Sequence, residues 1–332
     1  MSALRPRLLY ALNGTGLGHI RRAQALIPAL QSMADVDVLV SGQSTTMPLP
    51  FPVTFSFKGL TFQYRNGKVD LIRSLLSASF RTLFDDYRHF STRDYDFVIT
   101  DFEPISSWAA RRDGTFCIHL SNQASFRQAT LAKPPWRPHH RLFEWGISLL
   151  CVADRHIGIH LTEHSPTLWP PIAQPKRPTQ NNGRLLVYLY SYPLSKLVPL
   201  FRQLNQDCDL FHPDCQEAFS VDHVHIYPLG PDYESAFLNC DTLITHAGFQ
   251  SIVEALSLQK QLVSVPIQGQ YEQTCNGLAL DRLGVPCLSQ LDLHPLQEAL
   301  SKPPCQHSFS WQTPDTYAQQ LYALYQGACG DE

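Results

Sequence analysis

The sequence predicts an α/β protein built from two doubly wound domains that face each other across a cleft. Three observations carry that expectation. The chain has 332 residues, more than a single hydrophobic core usually accommodates. The order strand, Gly-containing turn, amphipathic helix occurs twice, once near each end of the chain. Between the two, residues 165–183 hold five prolines (Pro166, Pro170, Pro171, Pro175 and Pro178) without apolar periodicity, the composition of a linker. The expected division is a first domain over residues 1–164, the linker, a second domain over 184–312 and a terminal helix in 313–332.

Composition narrows the function classes. Hydrophobic residues at 44% and charged residues at 17% describe a soluble globular protein. No apolar run approaches the 18 or so residues of a membrane span, and Met1–Pro6 leads directly into a strand with no visible signal peptide. Nine scattered cysteines without a C-x-x-C pair read as reduced thiols of a cytoplasmic protein, not as a disulfide frame or a zinc site. The net charge of −3 conceals an asymmetry. Residues 1–183 carry 20 Lys+Arg against 13 Asp+Glu, and residues 184–332 carry 6 against 16. The basic half suits an anionic acceptor or an acidic membrane surface. The acidic half must hold any phosphate mainly through backbone N–H groups. Nothing points to nucleic acid.

In chain order, Arg7–Leu12 is a strand, Asn13–His19 a Gly-rich loop with Gly14, Gly16 and Gly18, and 20–33 a helix with Ile20, Ala23, Leu26, Ile27 and Leu30 on one face. The dinucleotide motif G-x-G-x-x-G fails because its third glycine position is His19, the second strand ends in Ser41 instead of an acidic residue, and no Walker lysine is present. His19 is either a helix residue packed beside the loop or a group that handles an acceptor proton. Arg21 and Arg22 occupy the first helical turn, where the helix dipole disfavours cations, so at least one needs an anionic partner. Val53–Phe57 and Thr61–Tyr64 read as strands and Val69–Phe90 as a long structural helix.

The strand Phe97–Thr100 ends in Asp101-Phe102-Glu103-Pro104, with Pro104 suited to the first turn of the next helix. Asp101 and Glu103 are either caps of that helix or carboxylates facing His19 across the cleft. A strand at 116–120 and the polar Ser121-Asn122-Gln123 follow. Residues 124–150, rich in Arg, Trp, Phe and Pro, combine a loop with a core-facing helix and offer a membrane-surface or acceptor patch. His156, His160 and His164 are spaced for a metal site on a helix, but the alternation of RHIGIHL makes a strand and buried or edge histidines the better reading. The D-x-D triplets at 35–37, 94–96 and 207–209 lie before or within strands, away from any expected site, so no metal is expected.

In the second domain Arg184–Tyr190 is a strand ending at Ser191, at the height where a phosphate would sit. Thr242–Thr245 is another, turning through His246-Ala247-Gly248 into a helix that begins at Phe249. Its free N–H groups would favour a phosphate, and Glu254, two turns on, suits ribose hydroxyls. After the strand Leu262–Val265, the polar loop Gln268–Gln273 lies at a carboxyl edge, where ligands sit in open α/β sheets. A helix is expected over Thr274–Leu283, with further helices near the end of the chain.

THAGFQSIVEAL followed by PIQGQYEQTCNGLAL resembles the donor-binding signature of GT-B glycosyltransferases, especially the family containing the peptidoglycan N-acetylglucosaminyl transferase and its uncharacterised relatives. NGTGLGHIRRAQAL and TDFEPISSWAARR resemble the first-domain loops of that same branch. The resemblance implies two Rossmann-like domains, with the last helix crossing back onto the first. It implies an inverting, metal-independent transfer of a hexose or N-acetylhexosamine from a nucleotide sugar, UDP-linked, to a hydroxyl acceptor such as a lipid-linked or cell-envelope glycan. No cofactor is implied. Carried over by position, His246, Ala247, Gly248, Gln250 and Ser251, with Ser191, would surround the diphosphate. Glu254 would meet the ribose, and Gln270, Glu272 and Gln273 the sugar. His19, Asp101 and Glu103 would be the catalytic set, with Gly14, Gly16, Gly18 and Arg22 on the acceptor side. The location implied is cytoplasmic, peripheral to the inner face of a membrane. Two rival readings use the same fold: a sugar-nucleotide 2-epimerase, whose Arg/Pro-rich first loop this chain lacks, and a non-catalytic donor-binding subunit, against which the intact first loop speaks.

Overall fold

The computed structural model describes residues 5–15, 17–42, 49–59, 64–65, 68–69, 80–128, 131, 133–135, 138–174, 181–302 and 309–330. Gly16 and part of the expected helix 69–90 lie outside these residues.

The first sheet has seven parallel strands. They are β1 (Arg7–Asn13), β2 (Asp35–Ser41), β3 (Phe55–Phe57), β4 (Phe97–Asp101), β5 (Phe116–Ser121), β6 (Arg155–Ile159) and β7 (Leu168–Trp169), in the spatial order β3-β2-β1-β4-β5-β6-β7. Because β1 is covered on both faces, its central residues Leu8–Leu12 are buried and apolar throughout and merely alternate in direction. Leu8, Tyr10 and Leu12 pack with Ile20, Leu26 and Ile27 of helix α1 (Leu17–Leu30). Leu9 and Ala11 pack on the other face with Leu83 of α2 (Phe80–His89) and Ile105 and Ala109 of α3 (Pro104–Asp113). Helix α4 (Pro138–Leu150) precedes β6. The strand β7 begins at Leu168, so the start of the proline-rich stretch 165–183 completes the first sheet instead of only linking the domains.

The second sheet contains β8 (Leu185–Tyr188), β9 (Cys208–His212), β10 (Phe219–Val221), β11 (Val224–Pro228), β12 (Thr242–Thr245) and β13 (Gln261–Ser264) in the order β10-β11-β9-β8-β12-β13. Only the edge strand β10 runs antiparallel to its neighbour. The helices are α5 (Leu194–Phe201), α6 (Asp232–Asn239), α7 (Phe249–Ser257), α8 (Tyr271–Arg282) and α9 (Leu293–Ser301). Helix α8 begins at Tyr271, three residues before the expected Thr274, and Tyr271 and Cys275 insert into an apolar cluster with Phe102, Phe126 and Ile147 of the first domain.

Each sheet reverses its strand order once, between β1 and β4 in the first domain and between β8 and β12 in the second. At such switch points the connecting loops diverge and leave a crevice at the carboxyl edge. Asn13–Thr15, Gly18–His19 and Asp101 flank the first crevice, and Tyr188–Ser191 and His246–Gly248 flank the second. Helix α10 (Pro314–Gly330) packs against α1 and the first sheet. Tyr325 stacks on Phe97 with centroids 4.4 Å apart, and the buried Tyr317 meets Trp169 edge-on at 5.2 Å while its hydroxyl donates to the Pro170 carbonyl. Since Tyr317 is fully buried, Tyr317→Ala should cost about 3–5 kcal/mol in urea-unfolding measurements. A loss below about 1 kcal/mol would show that this helix does not brace the fold.

Candidate functional site

Three first-domain side chains converge at the β1/β4 switch point. Asp101, the last residue of β4, is fully buried, and both of its contacts fall on one oxygen. His19 Nδ1 lies 2.8 Å from Asp101 Oδ1, and Arg22 Nη1 donates to the same atom at 2.6 Å. Burial opposes ionisation of Asp101, but the Arg22 guanidinium and then His19 outweigh it and hold the carboxyl below its usual range. With the proton of the neutral imidazole on Nδ1, facing the carboxylate, Nε2 carries the lone pair. The His19 side chain retains 11% exposure. The glycine-rich loop also runs close against the end of β2. A Cβ on Gly14 would stand 3.0 Å from Val40 Cγ1 and 3.3 Å from the Gly42 carbonyl, tighter than nearly all ordinary contacts.

Phe102 takes a left-handed backbone, φ 56°, uncommon for a large side chain. That turn aims Asp101 toward His19 and lays the Phe102 ring nearly parallel to the imidazole at 6.3 Å. It also carries Glu103 away. Glu103 is the N-cap of α3: its carboxylate accepts from the N–H groups of Ile105 and Ser106 at 3.0 and 2.7 Å, and it is fully buried. The expectation that Glu103 belongs to the catalytic set is corrected, because its oxygens are engaged by the helix end.

In the second domain Gly248 is the N-cap of α7, and no side chain caps it. The space where its Cβ would stand holds no atom within 4 Å, so the first-turn N–H groups, including those of Gln250 and Ser251, border an opening. Ala247 lies fully buried behind it, and its carbonyl accepts from Asn276 Nδ2 at 2.9 Å. A Cβ on Gly18 would lie 3.7 Å from Gln250 Cβ, which places the two loops against each other across the cleft.

His246 does not serve as a phosphate donor here. Its Nδ1 donates to the Val265 carbonyl at 2.7 Å, and its Nε2 accepts from the Ser191 N–H at 3.2 Å. Burial, only partly offset by the bond to Val265, pushes its pKa down to about 4. The ring is a neutral brace tying together the segments that follow β8, β12 and β13, and it occupies the backbone N–H of Ser191. Gln273 is similarly diverted: its Oε1 accepts from the Ile267 N–H at 2.8 Å and shapes the loop before α8.

Glu254 and Glu272 both reach the first domain. Glu254 Oε1 receives Arg21 Nη1 at 3.3 Å and Gln250 Nε2 at 3.1 Å, while Arg21 also lies 3.6 Å from Glu234. Glu272 accepts from Asn122 Nδ2 at 2.6 Å and Gln123 Nε2 at 3.2 Å. Gln270 Oε1 and Gln123 Oε1 are buried acceptors with no hydrogen-bond partner among the described residues. Asn122 and Gln123 were not among the expected site residues. Their signal was present as a polar pair closing a buried strand, but nothing local indicated that they would face α8. The D-x-D aspartates lie at the amino ends of strands: Asp37 accepts from Tyr95, Asp96 from the Arg7 N–H, and Asp207 and Asp209 from Arg184. Of the three spaced histidines, His156 and His160 lie on and just after β6, where burial pushes each pKa down to about 4.

Two switch points face one another, one with a His–carboxylate pair and the other with an open helix N-terminus, and this is the ground plan of a GT-B glycosyltransferase. The family model of "Glycosyl transferase family 1" matches residues 6–304, and the chain belongs to that family. The protein is a glycosyltransferase. Among solved structures, MurG of Acinetobacter baumannii is similar with a TM-score of 0.53 at 19% identity, covering 96% of this chain and 90% of that one. The spinosyn forosaminyltransferase SpnP gives 0.65 at 15% identity, with 97% and 100% covered. The glycosyltransferase SsfS6 of Streptomyces sp. SF2575, complexed with thymidine diphosphate, gives 0.58 at 17% identity, with 97% and 95% covered. A comparison with curated proteins returned no match.

The depressed pKa of His246 makes a pH prediction. An unfolded histidine, titrating near pH 6.5, binds a proton that the folded ring refuses, so stability is lost as pH falls from about 6.5 toward about 4. His246→Gln should lower stability at pH 7.5 but flatten the decline between pH 6.5 and pH 4.5 by about 2 kcal/mol, read from urea unfolding at each pH. An unchanged pH dependence would mean that the ring is not held neutral.

Proposed function

We propose that this enzyme transfers a hexose or N-acetylhexosamine from a UDP-linked donor on the second domain to an acceptor hydroxyl presented by the first, with inversion and without a divalent ion. The observation that carries the reading is the His19–Asp101 contact of 2.8 Å at the first switch point. Asp101 keeps the imidazole proton on Nδ1, so Nε2 takes the proton of the acceptor O–H. The freed oxygen attacks the anomeric carbon from the face opposite the diphosphate. As the new C–O bond forms, the bond to the phosphate oxygen breaks and its electron pair leaves with the nucleoside diphosphate. The open first turn of α7 at Gly248–Ser251 supplies N–H donors to that developing charge, a role that otherwise falls to a metal.

The sugar lies toward Gln270, whose buried Oε1 has no hydrogen-bond partner among the described residues, and toward Glu272, which exchanges Asn122 and Gln123 for sugar hydroxyls. Glu254 takes the ribose by exchanging Arg21 for ribose hydroxyls. The placement of the D-x-D aspartates at the opposite strand ends supports the metal-free reading. A lipid-linked or cell-envelope acceptor, with peripheral membrane contact on the cytoplasmic side, fits two further features. The first half of the chain is basic. Trp145 and Leu149, one turn apart on α4, are 61% and 49% exposed. Among the described residues no helix is long and apolar enough to cross a membrane.

UDP-glucose or UDP-N-acetylglucosamine should raise the melting temperature in EDTA as much as in magnesium. Stabilisation only with a divalent ion would overturn the metal-free mechanism. His19→Ala should lower kcat by about 10²–10⁴-fold with donor affinity unchanged, since the donor occupies the other domain. Asp101→Asn should cost a comparable factor, and the double variant should be no worse than the poorer single one. Losses that multiply would show that the two groups do not act as a unit, and full activity in His19→Ala would remove the base assignment.

A further inference from the structure

Arg22 makes two contacts that the proposed reaction does not use. It is buried, 4% exposed, and its fork divides between Asp101 Oδ1 at 2.6 Å through Nη1 and Asn122 Oδ1 at 3.2 Å through Nη2. Asn122 in turn donates to Glu272 of α8 at 2.6 Å. A continuous line of hydrogen bonds therefore runs from His19 through Asp101, Arg22 and Asn122 to a carboxylate of the second domain. Its first link is competitive, because His19 and Arg22 share one oxygen of Asp101. The other oxygen, Oδ2, is buried without a partner among the described residues.

We propose that Arg22 is a positioning residue that restrains the proton affinity of His19, and that Asn122 and Glu272 hold it in that role, so the basicity of the first-domain histidine depends on the second domain. The physical argument is one of charge and geometry. A guanidinium on Asp101 Oδ1 cancels part of the negative charge that would otherwise stabilise a protonated His19. A planar fork holds two acceptors at once only if both stay in place. Glu272 orients the Asn122 amide, the amide oxygen fixes Nη2, and Nη1 then stays on Asp101. A sugar hydroxyl that takes over Glu272 releases Asn122, loosens Arg22 and leaves more of the Asp101 charge to His19. The base strengthens when the donor is seated.

The groups around His19 bear this out as a small set. Asp101 on β4 and Arg22 on α1 touch or share its partner. His119 on β5 is held neutral by burial and by His156, with its pKa down to about 3, so it does not titrate in the same range. The Tyr10 hydroxyl on β1 is pushed up by burial and then by Asp101, and it too stays neutral. From the second domain, Glu272 acts through Asn122, and Gln250 beside Gly18 is uncharged.

The inference rests on His19 being the base, but its test needs no substrate. In protein labelled with ¹³C-histidine, the His19 resonance is identified by its loss in His19→Gln, and its titration is followed in each variant. Arg22→Gln should raise the midpoint by about one pH unit or more, and Arg22→Lys, which keeps the charge and loses the fork, should fall between it and the wild type. Asn122→Ala, a change with no charge, should also raise it. Glu272→Ala is the sharpest arm. Loss of a nearby negative charge acting directly through space would lower the midpoint, whereas the relay requires it to rise. A fall in Glu272→Ala, or an unmoved midpoint in Asn122→Ala, would overturn the proposal. If Arg22→Gln does not fold, those two titrations decide it. Inactive His19→Ala with unmoved titrations would remove the relay alone. Fully active His19→Ala with the stated shifts would remove the base assignment and leave the relay standing.

Discussion

Asp101 is an ionised carboxylate in a place that water does not reach, and a buried charge persists only when opposite charge and hydrogen-bond donors surround it. That requirement organises the first domain's end of the cleft. It also accounts for the partners of the two cations in the second turn of α1, which begins at Leu17, three residues before the expected start: Arg22 is drawn in by Asp101, and Arg21 by Glu254 and Glu234. It explains the strained Phe102, whose left-handed turn lets Asp101 face the histidine while the next carboxylate, on Glu103, caps α3. Two acidic residues two positions apart thus receive unrelated tasks from a single backbone dihedral.

The second domain meets a different constraint. With 6 cations against 16 anions after residue 183, it cannot assemble a cluster of lysines and arginines around a phosphate. What it has is the amide dipole of α7, left open at Gly248 and braced from behind by groups that spend their own hydrogen-bonding capacity on the scaffold. His246 ties together the segments that follow three strands, Asn276 holds the Ala247 carbonyl, and Gln273 holds the loop before α8. Much of the polar signature at 246–276 therefore shapes a surface of backbone donors instead of touching a ligand directly. A neutral imidazole suits that task, since a charged one would have no acceptor for its second proton.

The charge asymmetry between the halves also shapes the cleft itself. Acidic side chains of the second domain, Glu254 and Glu272, meet donors of the first, Arg21 on one side and Asn122 with Gln123 on the other. Apolar contacts reinforce the arrangement where Tyr271 and Cys275 of α8 enter the cluster around Phe102 and Phe126. These polar contacts occupy the groups that the family resemblance assigns to ribose and sugar. In the proposed reaction, donor binding therefore exchanges partners across the cleft.

Much of this was legible in the chain alone. Strand–turn–helix units show in hydrophobic periodicity and glycine placement, which are local properties, and so the two sheets, their switch-point loops and the roles open to His19, Asp101 and the turn at Gly248 could be read from neighbouring residues. The family resemblance rested on the same local patterns. The tertiary structure alone decided which of the two carboxylates flanking Phe102 faces the histidine, because that depends on the φ of Phe102. It decided that His246 is a brace, because the Val265 carbonyl and Ser191 N–H that saturate it come from the segments after two other strands. It also decided that Asn122 meets Glu272, residues 150 positions apart. Spacing along a chain reports periodicity within one element. Which polar group satisfies which, across a sheet or a cleft, is settled only when burial forces every donor and acceptor to find a partner in three dimensions.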